Sequence, residues 1–239
     1  MALVPRRASA PERMDDPHLA LDELRAALAG LTWTNRRLGG TRALVTALEP
    51  YVAAAPPDRP FEVLDVGTGA ADLPLELLAL GRRLGRPLVI TAIDRNPYVA
   101  SIAAAAVAGS ATIRVVCADA QRLPFGPRSF DVVTASLFLH HFDEGAATRL
   151  LAAFRGLARR AVIINDLRRH VVPWAFIAAA ARLLRRGATY VHDAPLSVRR
   201  GFTPHELERA ARAAGARATR VRRRWPYRLV LEIDATSDA

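Results

Sequence analysis

The residues best placed to do chemistry stand in the stretch Phe61 to Leu75, FEVLDVGTGAADLPL. Asp65 is followed by Gly67, Thr68 and Gly69, then by Asp72 and Pro74 at the head of a leucine-rich run. Glycines two residues apart let the backbone enter φ values closed to other residues and leave room for a ligand against the main chain. A helix starting directly behind them turns its unpaired N–H groups and positive dipole end toward that ligand. Asp65, closing the preceding apolar run, can hold a cationic or donor-rich group. Two such glycines alone fit an ordinary strand-to-helix turn equally well. Further along, Leu139-His140-His141-Phe142 offers imidazoles, which titrate near neutral pH. Asn165-Asp166-Leu167-Arg168-Arg169-His170 interrupts an apolar run, as a substrate wall or a helix start capped by Asp166 would. His192-Asp193 reads as a base with its orienting acid or as an exposed loop pair, and Arg199-Arg200 as an anion contact or a solvated face. No cluster has convincing metal-ligand spacing, so no metal site is expected.

Composition narrows the class. A chain of 239 residues with 51% apolar residues supplies a large core for one domain. The net charge of +11 invites a nucleic-acid partner, yet all 34 basic residues are arginine and lysine is absent. Together with the abundant alanine, this reads as compositional bias, and no nucleic-acid partner is expected. Cys117 is the only cysteine, so no disulfide forms within one chain. Its apolar neighbours predict a small buried hydrophobe. The first residues lack the apolar core of a signal peptide, and no uncharged apolar run reaches membrane-spanning length. A cytoplasmic protein without a membrane span is expected, as a monomer or homodimer.

The elements that must position these residues follow from periodicity. Residues 1–16 carry Pro, Arg and Ser without a repeat and predict a flexible tail. From residue 17 to about 55, leucines at threes and fours predict two or three helices, broken at Gly39-Gly40. Strands are predicted at 62–66, 88–93, 113–117, 131–136 and 161–165, with helices at 73–84, 97–108 and 144–157 between them. Such alternation argues a doubly wound, mostly parallel α/β sheet that binds ligands beyond the carboxyl ends of its strands. An apolar helix at 171–184 and a polar segment at 185–200 come next. Thr203-Pro204-His205-Glu206 is a capping box with proline at the first helical position. Strands at 218–223 and 228–233 then make an antiparallel hairpin, giving seven strands in all. The domain therefore divides into a helical cap (17–55), a core (61–166), a substrate-side insertion (167–202) and a closing helix and hairpin (203–239).

The glycine turn fits two ligand classes. A dinucleotide site wants a third glycine where Asp72 stands, and a carboxylate there would face a pyrophosphate. The pattern Asp65-x-Gly67-x-Gly69-x-Ala71 instead resembles the first motif of class I S-adenosylmethionine-dependent methyltransferases, with Ala71 where that family usually has glycine. Asp94 in ITAIDRNP, Asp119-Ala120, and Leu123-Pro124-Phe125 followed by Ser129-Phe130-Asp131-Val132-Val133 extend the resemblance to about residue 142. It implies a Rossmann-like fold, with Asp94 gripping both ribose hydroxyls, Asp119 and Ala120 contacting adenine, and Asp65 partnering the amino-acid end. Thr68, Asp72, Arg95 and Ser136 complete the implied cofactor set; Asp131 reads as structural. The segments at 14–17, 35–40, 164–170 and 197–202 together resemble a bacterial ubiquinone/menaquinone-methyltransferase-like subgroup.

That resemblance implies a methyl acceptor that is a small aromatic or phenolic molecule, polyketide- or quinone-like, methylated on oxygen. Methyl transfer is an in-line displacement, so much of the catalysis lies in holding the acceptor in a dry site. A hydroxyl must also lose a proton, and a placed base contributes about 10²- to 10⁴-fold. His140 or His141 is the candidate base. Trp33, Asn35, Arg36, Asp166, Arg169, His170, His192 and Arg199 are the candidate substrate-side residues. C-methylation of a quinone or polyketide ring, an RNA methyltransferase and a non-catalytic cofactor-binding scaffold are the alternatives.

Overall fold

The structure, a computed structural model, describes residues 4–16, 18–184 and 187–236. The expectations for residues 1–3, 17, 185–186 and 237–239 lie outside the described residues. Helices α1 (Leu21–Arg37) and α2 (Gly40–Ala53) make the N-terminal cap, and the chain turns between them at Gly39 with φ +68°. The core alternates β1 (Phe61–Val66), α3 (Asp72–Leu84), β2 (Leu88–Asp94), α4 (Pro97–Ala106), β3 (Ile113–Cys117), β4 (Phe130–Ser136), α5 (Glu144–Leu157) and β5 (Ala158–Leu167). Helices α6 (Val171–Leu184), α7 (Ala188–Arg200) and α8 (Pro204–Ala213) follow, then β6 (Thr219–Arg224) and β7 (Arg228–Asp234).

One seven-stranded sheet results, in the order β3-β2-β1-β4-β5-β7-β6. Strand β7 runs antiparallel to both of its neighbours, β5 and β6, while β1 to β5 pair in parallel. The order in which strands are added reverses between β1 and β4, β2 and β3 lying to one side and β5 to the other, which places the open crevice at the carboxyl ends of β1 and β4. The central strands are buried on both faces. On one, Leu44, Leu48, Leu77 and Leu80 of α2 and α3 cover Val63, Ile90 and Ile163. On the other, Leu151, Phe154 and Leu207 of α5 and α8 cover Leu64, Val133 and Leu231. Each fully buried large side chain contributes roughly 1.5–3 kcal/mol, so this two-sided core holds the strand ends rigid. The Rossmann-like α/β fold, the hairpin and the Thr203–Glu206 capping box all stand as expected.

Asp131 is the structural residue the sequence suggests. It is fully buried at the start of β4, bound by Arg59 at 2.5 and 2.7 Å and by the Glu62 amide at 3.0 Å. Four expectations change. Residues 4–16 are not loose: Arg7 donates to the Arg200 and Phe142 carbonyls at 2.7 Å each, and Glu12 is buried. The polar segment after α6 is the helix α7, whose Tyr190, Asp193, Ser197 and Val198 recur at threes and fours on its buried side. Asp166 is not a helix cap, since β5 runs on through it to Leu167. Cys117 is exposed, because β3 is the edge strand and its last residue leaves the core.

Candidate active site

The turn after β1 is built on left-handed backbone: Gly67 has φ +69°, Gly69 +57° and Ala71 +59°. At Gly67 a Cβ would come 2.5 Å from Phe138, so the strand end and the loop after β4 close on each other only through a glycine. Around this turn stand carboxyl groups short of partners. Asp65 is buried, its Oδ1 accepts from Thr134 Oγ at 3.1 Å, and its Oδ2 has no partner. Burial pushes its carboxyl up to about 7. Asp72 also keeps an unpartnered Oδ2, and burial raises its pKa against the Asn35 amide that lowers it. Asp94 closes β2, accepting from the Gly69 amide at 3.3 Å and the Asn96 amide at 3.0 Å, and burial raises it too.

Asp65, Gly67, Thr68, Gly69, Asp72, Asp94, Arg95, Asp119, Ala120 and Ser136 all line this one cleft. Every cofactor-side residue named from the sequence therefore meets its fellows in space. The cleft also takes in Met14, Asp15, Leu28 and Phe138, which the sequence did not single out as ligand contacts. Asp15 belongs to the segment at 14–17 that carries the subgroup resemblance, and that was its only signal. Thr68 Oγ is buried and unpartnered beside Asp65.

The two histidines part company. His140 is buried, with Nδ1 2.7 Å from Asp166 Oδ1 and Nε2 3.5 Å from Glu12. Burial disfavours its charge, but Asp166 and Glu12 outweigh that and raise its pKa to about 10. The imidazolium that Asp166 and Glu12 favour has no lone pair free to take a proton, and the ring does not line the cleft, so the geometry brings His141 and not His140 to the site. His141 does line the cleft, with Nδ1 2.9 Å from Asp15 Oδ2. Glu12, His140 and His141 bring one potential ligand atom each within 4.8 Å, a grouping that no sequence spacing announced. The two rings stack at 4.4 Å with 33° between their planes, an arrangement suited to an ion-pair network between stacked rings.

The substrate-side residues scatter. Asn35 lines the cleft, and Arg36 lines a second cavity beside it while pairing with Glu76 at 3.6 Å. Trp33, Asp166, Arg169, His170, His192 and Arg199 line neither space among the described residues. Asp166 and Arg169 are buried in ion pairs, with His140 and Glu206 respectively. His170 stacks on Tyr227 at 5.3 Å. His192 bonds Asp193 at 2.7 Å, and Asp193 in turn accepts from the Arg13 and Met14 amides at 2.9 and 3.0 Å. That pair is a clamp on the N-terminal segment. Arg199 is exposed. The second cavity lies between α1, α2, α6, α7 and the β6–β7 hairpin, and it shares Leu31 and Leu137 with the cleft.

Residues 64–161 match the family model described as a methyltransferase domain, a span running from β1 into β5 that contains the glycine turn, Asp94 and the histidine pair. Within those residues the chain carries a methyltransferase domain. The cleft suits S-adenosylmethionine as a ligand: unpartnered carboxylate oxygens of Asp65 and Asp72 for an ammonium, and a glycine turn for close approach. Solved structures share the fold. The CMeT domain of the citrinin polyketide synthase superposes with TM-score 0.65 at 14% identity, over 82% of this chain and 52% of that one. A SAM-dependent methyltransferase from Aquifex aeolicus gives 0.59 at 17%, over 84% and 93%. The plantazolicin methyltransferase, solved with a substrate analog and SAH, gives 0.64 at 13%, over 90% and 97%. The chain thus spans about half the length of the polyketide synthase structure and nearly all of the plantazolicin enzyme. No curated protein matches the chain.

Proposed function

We propose that the protein methylates a small molecule, an aromatic or phenolic metabolite of polyketide or quinone type, on oxygen. The observation supporting this most directly is the junction at Leu31 and Leu137, where the cofactor cleft opens onto a separate, largely apolar cavity beneath the cap. S-adenosylmethionine supplies a methyl group activated by its sulfonium. Asp65 and Asp72 would accept from the amino-acid end and Asp94 from the ribose hydroxyls, while Asp119 and Ala120 border the adenine. Leu31 and Leu137 keep water from the junction, which favours an in-line displacement. His141, bonded at Nδ1 to Asp15 and 4.0 Å at Nε2 from Glu12, is the imidazole of the pair that lines the cleft and would be the group to take the proton of an acceptor hydroxyl. A small acceptor fits a cavity roofed by α1, α6 and α7, and relatives in fold that act in polyketide and plantazolicin chemistry support that choice. The likeness to a polyketide synthase CMeT domain favours a second reading, methylation of a ring carbon. In that case too, His141 would be the group that takes up the proton released.

Calorimetry with S-adenosylhomocysteine tests the cofactor half. Asp94→Ala should weaken binding by about tenfold or more, since a half-buried acceptor for the two hydroxyls is lost; unchanged affinity would remove Asp94 from the site. A screen of phenols with labelled cofactor tests the acceptor half. With an acceptor in hand, His141→Ala should lower kcat by about 10²-fold or more. A variant matching wild type across pH would dismiss the base.

A further inference from the structure

The second cavity has a charge pattern that an uncharged phenol does not explain. Arg36, Arg37, Arg42, Arg168, Arg224 and Arg228 line it, and no Asp or Glu is among the described lining residues. Of these arginines only Arg36 has a carboxylate within 4.0 Å among the described residues. Arg228 is the decisive one. It is 2% exposed, opens β7 at the floor of the cavity, and its Nη1 has no hydrogen-bond partner. Buried guanidinium groups are expected to be paired, because an unpaired buried charge is among the costliest features a fold can hold. Burial pulls Arg228 down to about 10, so it stays charged at neutral pH. The nearest acid felt by it, Asp166, is committed to the His140 ring and to the His140 and Leu167 amides.

Two further features converge on the same place. Helix α2 begins beside it, with Gly39 as its N-cap on the cavity wall and no side-chain cap for its first N–H groups. A Cβ at Gly40 would lie 1.8 Å from Asn35 Oδ1 and 3.1 Å from Arg228 Cζ, so the helix start, the Asn35 amide and the guanidinium are neighbours, with no carboxylate among them. The remaining walls are apolar or aromatic: Val172, Phe176, Ile177, Tyr190, Trp225 and Tyr227. Phe176 and Trp225 stand 59% and 86% exposed.

We infer that the methyl acceptor is an amphiphilic acid, with an apolar body along α6 and the hairpin and an anionic oxyacid head on Arg228 and the start of α2. This deepens the small-molecule methyltransferase reading and rests on it for the word acceptor. The binding site itself does not depend on methyl transfer. A carboxylate and a phosphate offer the same planar pair of oxygens to a guanidinium fork, so both are tested.

The test is calorimetric binding of 6-phenylhexanoate, 6-phenylhexyl phosphate and neutral 6-phenylhexanamide to the full chain, with S-adenosylhomocysteine binding measured alongside. At least one anion should bind about 10- to 100-fold more tightly than the amide, the gain expected of a charge-assisted hydrogen bond in a buried site. The tighter anion identifies the head group. Arg228→Met should abolish that preference, leave S-adenosylhomocysteine affinity unchanged and leave thermal stability equal or higher, since an unpaired buried charge is removed. If Arg228→Met does not fold, Arg42→Gln and Arg224→Gln in the same cavity should each reduce the preference. Equal affinity for amide and anions, no binding of either anion at millimolar concentration, or a preference that survives these substitutions overturns the proposal. Failure of wild type to bind S-adenosylhomocysteine would instead strike the cofactor reading.

Discussion

Asp65 shows how one side chain can be both a structural liability and a binding group. Burial with one oxygen unpaired holds its carboxyl at about 7, so near neutrality it is partly protonated. A ligand ammonium drawn to that oxygen would favour the carboxylate and expel the proton. S-adenosylhomocysteine binding near pH 6.5 should therefore release a fraction of a proton, and its apparent enthalpy should differ between phosphate and Tris by that fraction of the difference in their ionisation heats. Identical enthalpies in the two buffers would contradict this role. The group was recognisable in the sequence as an acid beside a glycine turn, but its protonation was not, because burial is a property of the packed sheet. The reverse holds for His140. Its type and place suggested a base, and only Asp166 and Glu12, residues distant in the chain, make it a fixed cation.

At the scale of elements, the alternating strands and helices could be read because each obeys a local period and carries its own stop signals. The capping box at Thr203 and the Gly39 break needed no tertiary information. The N-terminal strap and α7 could not be read so easily. The strap has no period, and its bonds reach across the chain, as from Arg7 to Arg200, 193 residues apart. Pro195 stands inside α7, where proline is ordinarily disfavoured. Arg200 joins the two elements. It donates to the His140 and His141 carbonyls at 3.1 and 2.6 Å and to the Ala10 carbonyl, with Glu12 at 3.8 Å. Arg200→Met should cost about 3–5 kcal/mol, as expected when a buried pair loses one member. It should also expose Arg13 to trypsin before the core is cut. Equal cleavage rates in the variant and wild type would show that the strap is held by something else.

Over the whole molecule, the buried His140 cluster couples stability to pH. The folded pKa of about 10 lies above the ordinary 6.5, so the folded state holds the proton more tightly. That contribution is complete below pH 6.5 and is lost as pH rises toward 10. Glu12 and Asp166 are depressed below their ordinary 4.5 and 3.8 by the same histidine, against burial, so their contribution fades on acidification. Thermal melts should therefore show highest stability around pH 5–6.5 and a decline on both sides. His140→Phe should flatten the alkaline decline; an unchanged slope would show that other groups govern it. The exposed edge of the sheet has a practical consequence. Cys117, the only thiol in the chain, lies 3.6 Å from the Arg95 carbonyl, and Ala118 beside it already lines the cofactor cleft. A polarity-sensitive fluorophore coupled there would sit at the lip of the cleft as a built-in optical gauge of occupancy, with no second thiol to blur the signal.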